Sequence, residues 1–437
     1  MKLKYFLYPA LILLCFYGIQ YGVAFARIGA AYNAKITCSC IFVSGRSLES
    51  IEKEDLYTIP FARQTVDPEN KTVTSSIYGI SKKAVFRPGM GCTLAPNSDE
   101  IDLRDQWKNT DFGKLNEFDF PADTEVTSVV IQKINAVFDS AFYENDSSKI
   151  KRTRATVVVH NGKLIAERYA PGITAMTPLI GWSMTKSVTN AMIGILVHDG
   201  KLSLDKNNLI PDWQYDDRKN ITIDHLLRMS SGLAFEENYT RVSNATRMLF
   251  SETGAGLYAS KQKPAYPIDT KWNYSSGTSN ILQLIISNTI NDPAAYLRFP
   301  HQRLFNKIGM KSAVLEPDAN GIYVGSSFMF ATARDWAKFG QLYINDGVWL
   351  GQRILPEGWV RYSSTVTPAS DGEYAAHFWT YPRKSGLPGD SFLMDGYEGQ
   401  LVLIIPSKKL VLVRMGCTPK SENFNGMKFF KDISDLF

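Results

Sequence analysis

The sequence predicts an α+β fold: one antiparallel sheet built from both chain ends, flanked by helices, with a mostly helical insertion beside it. Three observations carry this. "ATVVVHNGKLIAERYA", Ala155 to Ala170, places two apolar, β-rich runs around Asn161-Gly162, a dipeptide suited to a tight type I′ hairpin turn. "QLVLIIPSKKLVLVRMG", Gln400 to Gly416, is a second hairpin near the C-terminus, with a Pro-Ser-Lys-Lys turn. Between them, residues 205 to about 345 read as helix and loop, with "IDHLLRMSSGL", "TSNILQLIISNTI" and the amphipathic "ARDWAKFGQLYIND" as helices. Strand pairs on both sides of a helical middle join most simply in one sheet. That leaves a cleft between sheet and insertion, where sites form.

The elements follow in order. "MKLK" precedes a run from Tyr5 to Ala26 without a charged residue, ending in Ala24-Phe25-Ala26. Residues 1–26 therefore read as a secretory signal peptide with an A-x-A cleavage site, or as an uncleaved N-terminal membrane anchor over residues 5–26. On either reading Lys2 and Lys4 stay inside and the rest is exported, to the periplasm or another extracytoplasmic space, with an uncleaved run held in the inner membrane. Residues 27 to about 125 are rich in turns and short apolar runs, with few convincing helices, and read as an accessory N-terminal region. The main domain then spans 126–437. It opens on a helix in "TEVTSVVIQKINAVFDSAF", where Val129, Ile131, Ile134, Val137 and Phe138 share a broad face. A further helix follows Ser183 and ends near Gly200, a left-handed cap.

Composition is that of a globular protein: 437 residues, 44% hydrophobic and 21% charged, with a net charge of +5. There is no clustered basic face of the kind a nucleic-acid-binding protein shows, no heptad run and no internal repeat. Cys15 lies inside the apolar run, and the bulky Leu14 before it argues against lipid attachment. Cys38, Cys40, Cys92 and Cys417 remain, and export permits disulfides. Cys38 or Cys40 with Cys92 is the expected bridge, since these flank one region. The five histidines are scattered, so no metal site is expected.

The chemistry concentrates in "GWSMTKSVTNAMIGILVHDG". Ser183 and Lys186 sit one turn apart at a helix start, but Ser-x-x-Lys occurs at least five times in this chain, also at Ser50, Ser148, Ser203 and Ser260. Position separates them. Ser203 lies in a turn, and the others lie in polar, charged surroundings. A serine hydroxyl is a weak nucleophile that needs a base. G-x-S-x-G is absent, whereas a lysine one turn away can act as that base if desolvation or neighbouring charge lowers its proton affinity. The helix start also leaves the Ser183 N–H free for an oxyanion.

"SMTKS", followed about ninety residues later by "WNYSSGTSNIL", resembles the serine hydrolases of the β-lactamase and penicillin-binding-protein superfamily. It is most similar to the class C β-lactamase-like branch that includes esterases, D-aminopeptidases and 6-aminohexanoate-dimer (nylon-oligomer) hydrolases. "LIPDW", "FATARDWAKFGQLYINDGVWLGQRILPEGWV" and "GYEGQLVLIIPSKKLVLVRMG" extend the resemblance over roughly Ala155 to Gly416. It implies a β-lactamase-like (DD-peptidase) fold for 126–437, no cofactor, Ser183 as nucleophile, Lys186 as its partner and Tyr274 as proton shuttle. A lysine ammonium beside Tyr274 is expected to favour its phenolate.

The family's Lys-Thr-Gly or His-Thr-Gly is missing. The loop Gly396-Tyr397-Glu398-Gly399-Gln400 stands there instead, similar to the Gly-x-x-Gly-Gln loop of nylon-oligomer hydrolase relatives. Tyr397 N–H is the first choice for the second oxyanion donor and Gln400 N–H the second. Without the cation, β-lactam turnover is disfavoured, and a small-molecule or short peptide-like amide or ester is the expected substrate. Trp182 and Trp379 are pocket candidates, with core packing as the alternative for each. Ser276 stands where the family's Tyr-x-Asn has asparagine, and takes over its hydrogen bond. Asp335 reads as a surface or capping charge. The rival readings are a cell-wall D,D-carboxypeptidase or penicillin-binding protein, a β-lactamase, and a non-catalytic scaffold retaining the fold.

Overall fold

The computed structural model describes residues 2–95, Leu103 and 110–437, with side chains from Leu13 onward. The central sheet combines β5 (Thr153–His160) and β6 (Lys163–Tyr169) with β7 (Phe392–Gly396), β8 (Gln400–Ile405) and β9 (Leu410–Gly416), in the order β7-β8-β9-β5-β6. Every pairing is antiparallel, so the sheet is built from both ends of the main domain, as the sequence predicts. Asn161 and Gly162 close the β5–β6 hairpin with φ of 51° and 72°, the left-handed pair that a type I′ turn requires.

The strands are apolar on both faces because both faces are covered. Val158, Leu403 and Leu412 pack with Ile134 and Phe138 of α3 (Ser128–Phe142) and Phe430 of α8 (Gly426–Ser434). Val157, Val159, Val402 and Val411 face the other way, onto Phe339 of α7 (Ala333–Ile344) and the core of the insertion. That core holds α4 (Thr185–His198), α5 (Asn244–Phe250) and α6 (Ser276–Ile290). Of the two expectations for Asp335, a surface or a capping charge, the first fails: it is buried in the first turn of α7, where it accepts from Ser312 N–H at 2.8 Å and Lys338 Nζ at 2.9 Å.

The N-terminal region differs most from the sequence reading. A single helix, α1 (Lys2–Phe42), runs through Ala24-Phe25-Ala26 and on into the region expected to be poor in helices. Its second half is held by packing. Ala26, Ala30, Ala34 and Cys38, spaced by one turn, let α1 lie close on Ala62, Ile77, Val73 and Ala84. Most of those residues belong to an antiparallel meander of β1 (Arg63–Asp67), β2 (Thr72–Ile77), β3 (Ile80–Arg87) and β4 (Gly91–Ala95). Cys38 and Cys92 are joined by a disulfide, and Cys40 is a buried free thiol. Residues Ile28, Ala31, Ile36 and Cys40 join the core of the main domain. A helix with small and polar residues on buried faces, among them Asn33, Lys35, Thr37 and Ser39, lacks the apolar stripe that periodicity detects.

Buried polar contacts lock the two regions together. Glu316, on the insertion, accepts from Lys35 Nζ, from Ser39 Oγ at 2.8 Å and from Cys92 N–H at 2.6 Å. Asp55, following α2 (Leu48–Glu54), accepts from Arg46 and from Arg154 of β5. Removing one member of a buried pair strands the other charge. Glu316→Ala is therefore expected to cost about 3 kcal/mol or more, read as a lower urea midpoint for the whole molecule. An unchanged midpoint would show that the accessory region docks without this pair.

Candidate active site

The chain from β6 reaches the short strand Leu179–Ile180, which pairs with Met329–Ala331, and turns through a 3₁₀ segment, Trp182–Met184, into α4. Gly181 N–H donates to Met329 O at 2.8 Å and Thr185 Oγ1 to Trp182 O at 2.7 Å, fixing the turn that presents Ser183. Ser183 is partly exposed, while Lys186, in the first turn of α4, is buried.

Lys186 Nζ donates to Ser183 Oγ at 2.9 Å, to Ser276 Oγ at 3.0 Å and to Ser326 O at 3.1 Å. Three oxygens therefore surround the amine. Burial lowers its pKa from the ordinary 10.5 to about 8, with the Glu237 carboxylate opposing the shift. Ser276 is the first residue of α6 and brings Glu237 in. Ser276 N–H donates to Glu237 Oε2 at 2.8 Å, Ser276 Oγ bonds Glu237 Oε1, and Tyr239 Oη donates to the same oxygen at 2.6 Å. Ser276 thus makes a hydrogen bond to the lysine, but it lies under the cavity rather than in its wall.

Tyr274 lines the cavity with Ser183. Its relation to Lys186 corrects the sequence reading: the amine lies over the ring face, 4.8 Å from the centroid. Burial and then Glu237 hold the phenol well above the ordinary tyrosine value, against a hydrogen bond with Ser183 that lowers it. The group tuned toward neutral pH is the lysine. His377 supports the same helix from behind, with Nδ1 3.0 Å from Lys186 O and Nε2 3.1 Å from Ser279 Oγ. Burial, followed by the Lys186 charge, drops its pKa to about 3, so it stays neutral.

Across the cavity, of about 860 Å³, lies the turn between β7 and β8, whose residues Gly396 to Gly399 all line it. A Cβ on Gly396 would lie 2.2 Å from Gly181 O, so only glycine lets this turn approach the one bearing Ser183. Gln400 is a clamp: its Nε2 donates to Gly416 O at 2.6 Å and to Tyr397 O at 3.2 Å. Gly399 O accepts from Arg414 Nη1 at 2.8 Å. Trp182, with a φ of 46°, is buried behind the cavity against Phe328 and Tyr397; it is a supporting residue, not a wall. Glu398 also has a positive φ, 64°. Its Oε2 accepts from Trp182 Nε1 at 3.4 Å and its Oε1 from Tyr57 Oη, of the accessory region, at 3.0 Å. Non-glycine residues in this conformation persist where surrounding contacts over-determine them. Trp379 and Asp395 also line the cavity, with Tyr381 and residues of the segment 418–427. Burial lifts the Asp395 carboxyl to about 6, against the hydrogen bond from Tyr381 Oη at 2.7 Å.

The beta-lactamase family profile matches residues 150–428, more than half of the chain. The protein belongs to that family. The 6-aminohexanoate-dimer hydrolase of Paenarthrobacter ureafaciens is 21% identical over 296 residues, 61% of this chain and 73% of the relative. A Bacillus anthracis protein provisionally named 6-aminohexanoate-dimer hydrolase superposes with a TM-score of 0.58 at 21% identity, covering 78% of this chain and 96% of that one. A penicillin-binding protein homologue from Caulobacter crescentus gives 0.51 at 15% identity, over 67% and 93% of the two chains. At these identities the solved structures establish the shared fold.

Glu237, Tyr239, Ser326, His377 and Asp395 were not singled out by sequence. Gly396→Ala is expected to push the β7–β8 turn off Gly181 and slow p-nitrophenyl acetate hydrolysis about 100-fold, with little change in the circular dichroism spectrum. Full activity would show that the close approach is dispensable.

Proposed function

We propose that the protein is a serine hydrolase that cleaves amide or ester bonds through an acyl-enzyme on Ser183. The observation that carries this is Lys186: buried, tuned to about 8, and 2.9 Å from Ser183 Oγ. Neutral Lys186 takes the hydroxyl proton as Oγ attacks the substrate carbonyl carbon. The oxyanion so formed lies between the Ser183 N–H and the Gly396–Gln400 turn, with Tyr397 N–H as the preferred second donor. Collapse of the adduct breaks the scissile bond and expels the amine or alcohol, which takes up the proton held by Lys186, passed on by the Tyr274 hydroxyl, so that the lysine is neutral again. Water then attacks the acyl carbonyl as Lys186 takes its proton, and collapse breaks the Ser183 ester, returns that proton to Ser183 Oγ and releases the acid.

A linear amide of the aminohexanoate type is the first substrate class, in keeping with the relatives, and carboxylic esters the second. Asp395 stands on β7 just before the Gly396 turn and lines the cavity, where a carboxylate attracts the ammonium end of a linear aminohexanoate-type amide. We also read the first part of α1 as a retained membrane anchor. Lys2 to Phe25 spans about 36 Å as a helix, enough for a hydrocarbon core of about 30 Å. Leu13, Leu14, Phe16, Tyr17 and Ile19 are all exposed.

Wild type is expected to hydrolyse p-nitrophenyl acetate and 6-aminohexanoate dimer, and Ser183→Ala to lose at least about 10³-fold of both rates. Equal rates in the two proteins would overturn the assignment. The protonated lysine cannot accept the serine proton, so kcat/KM is expected to rise with pH through about 8, where the amine becomes neutral. A flat profile from pH 6 to 9 would remove Lys186 from the role of base.

A further inference from the structure

The exposed stretch of α1 does not leave the folded body through bare polar surface. Burial begins at Ala26, and the turn there packs on Ile59, Ala62 and Ile77. The residues next to these contacts are aromatic and unprotected. Phe61 is 52% exposed and Tyr78, at the tip of the β2–β3 hairpin, 88% exposed, and their rings stack 6.1 Å apart. Tyr21 and Phe25, in the last exposed turns of α1 before Ala26, are also exposed, as are Arg27 on α1 and Arg63, two residues after Phe61. A large, solvated aromatic pair at a hairpin tip is costly in water. Aromatics with arginines around the exit of an apolar helix match a headgroup layer, which takes an amphipathic ring and pairs a guanidinium with phosphate.

From this geometry we infer that the end of the molecule carrying Phe61, Tyr78, Tyr21 and Phe25 is a membrane-seating surface, and that its partner is the phospholipid bilayer spanned by α1. The inference rests on the anchor reading of α1 and deepens the substrate class. The Tyr21 hydroxyl accepts from Val242 N–H at 3.4 Å, which ties the exit of α1 to the loop carrying Glu237 and Tyr239. Tyr239 lines the cavity and lies 3.2 Å from Ser276 Oγ, the partner of Lys186. Seating this end on the bilayer brings the Tyr239 side of the cavity to the headgroup layer. Esters or amides of amphiphiles resident in that layer then reach Ser183 without leaving it.

The test uses the full chain with Cys15→Ser, reconstituted in phosphatidylcholine–phosphatidylglycerol vesicles. Tyr78→Cys carries an environment-sensitive nitrobenzoxadiazole dye, and Leu350→Cys, exposed near the Asn161 turn of the sheet, carries it as control. Dye at position 78 is expected to shift to the blue and to be quenched at least twofold by headgroup-region spin-labelled lipid, with position 350 unaffected. In Phe61→Ser/Tyr78→Ser, hydrolysis of vesicle-borne p-nitrophenyl palmitate is expected to fall at least fivefold relative to that of dissolved p-nitrophenyl acetate. No quenching at position 78, or equal quenching at both positions, overturns the seating. Quenching with an unchanged palmitate-to-acetate ratio overturns the substrate consequence. Failure of the wild type to hydrolyse p-nitrophenyl acetate contradicts the hydrolase reading instead and leaves the quenching result to stand alone.

Discussion

The proposed active centre depends on the burial of one amine. Lys186 is 1% exposed and packed against three oxygens, two hydroxyls and a carbonyl, none of which carries a formal charge. Moving its pKa from 10.5 to about 8 corresponds to roughly 3 kcal/mol against the ammonium. Glu237 moderates this at one remove, through Ser276. A carboxylate in direct contact would restore an ordinary ammonium, and a wholly apolar pocket would lose the orientation that the three acceptors supply. Much of the surrounding architecture serves this environment. His377 ties α4 to α6, Asn190 gathers Tyr343, Trp359 and Ser363 behind it, and the Met329–Ala331 strand fixes the turn ahead of Ser183.

The accessory region is part of that architecture. Tyr57 and Trp182 hold opposite oxygens of Glu398, a residue of the β7–β8 turn with left-handed backbone. Burial, with Asp55 next, raises the Glu398 carboxyl to about 7. A segment outside the matched family region thus supports the wall opposite Ser183. The Lys35–Glu316 and Arg154–Asp55 pairs explain how that support is kept rigid. α1 continues from this junction into the exposed apolar stretch, so the apolar helix, the accessory region and the cavity wall form one connected structure.

The sequence was most legible where local chemistry decides the backbone. Asn161-Gly162 specifies its turn whatever surrounds it, and the apolar, β-rich runs on either side place the strands. Ser183 and Lys186 are neighbours on a helix, and Tyr274 stood out only through family resemblance. Glu237, Ser326 and His377 reach Lys186 from segments between 51 and 191 residues away, in loops without periodicity, so no pattern joins them. Resemblance pointed to the Gly396 turn, but the clash that demands glycine there involves Gly181, over two hundred residues earlier. The buried half of α1 was missed for a different reason. Its contacts use alanine, cysteine and paired polar groups, and an Ala-Asn-Lys-Thr-Ser helix looks like surface until the meander is laid against it.

Whether Ser183 is the nucleophile is tested most directly by intact-mass and peptide-level mass spectrometry after exposure of the full chain to a fluorophosphonate. One adduct per molecule, on the peptide containing Ser183 and absent from Ser183→Ala, is the expected result. An unmodified chain, or an adduct on another serine that persists in the variant, would contradict it.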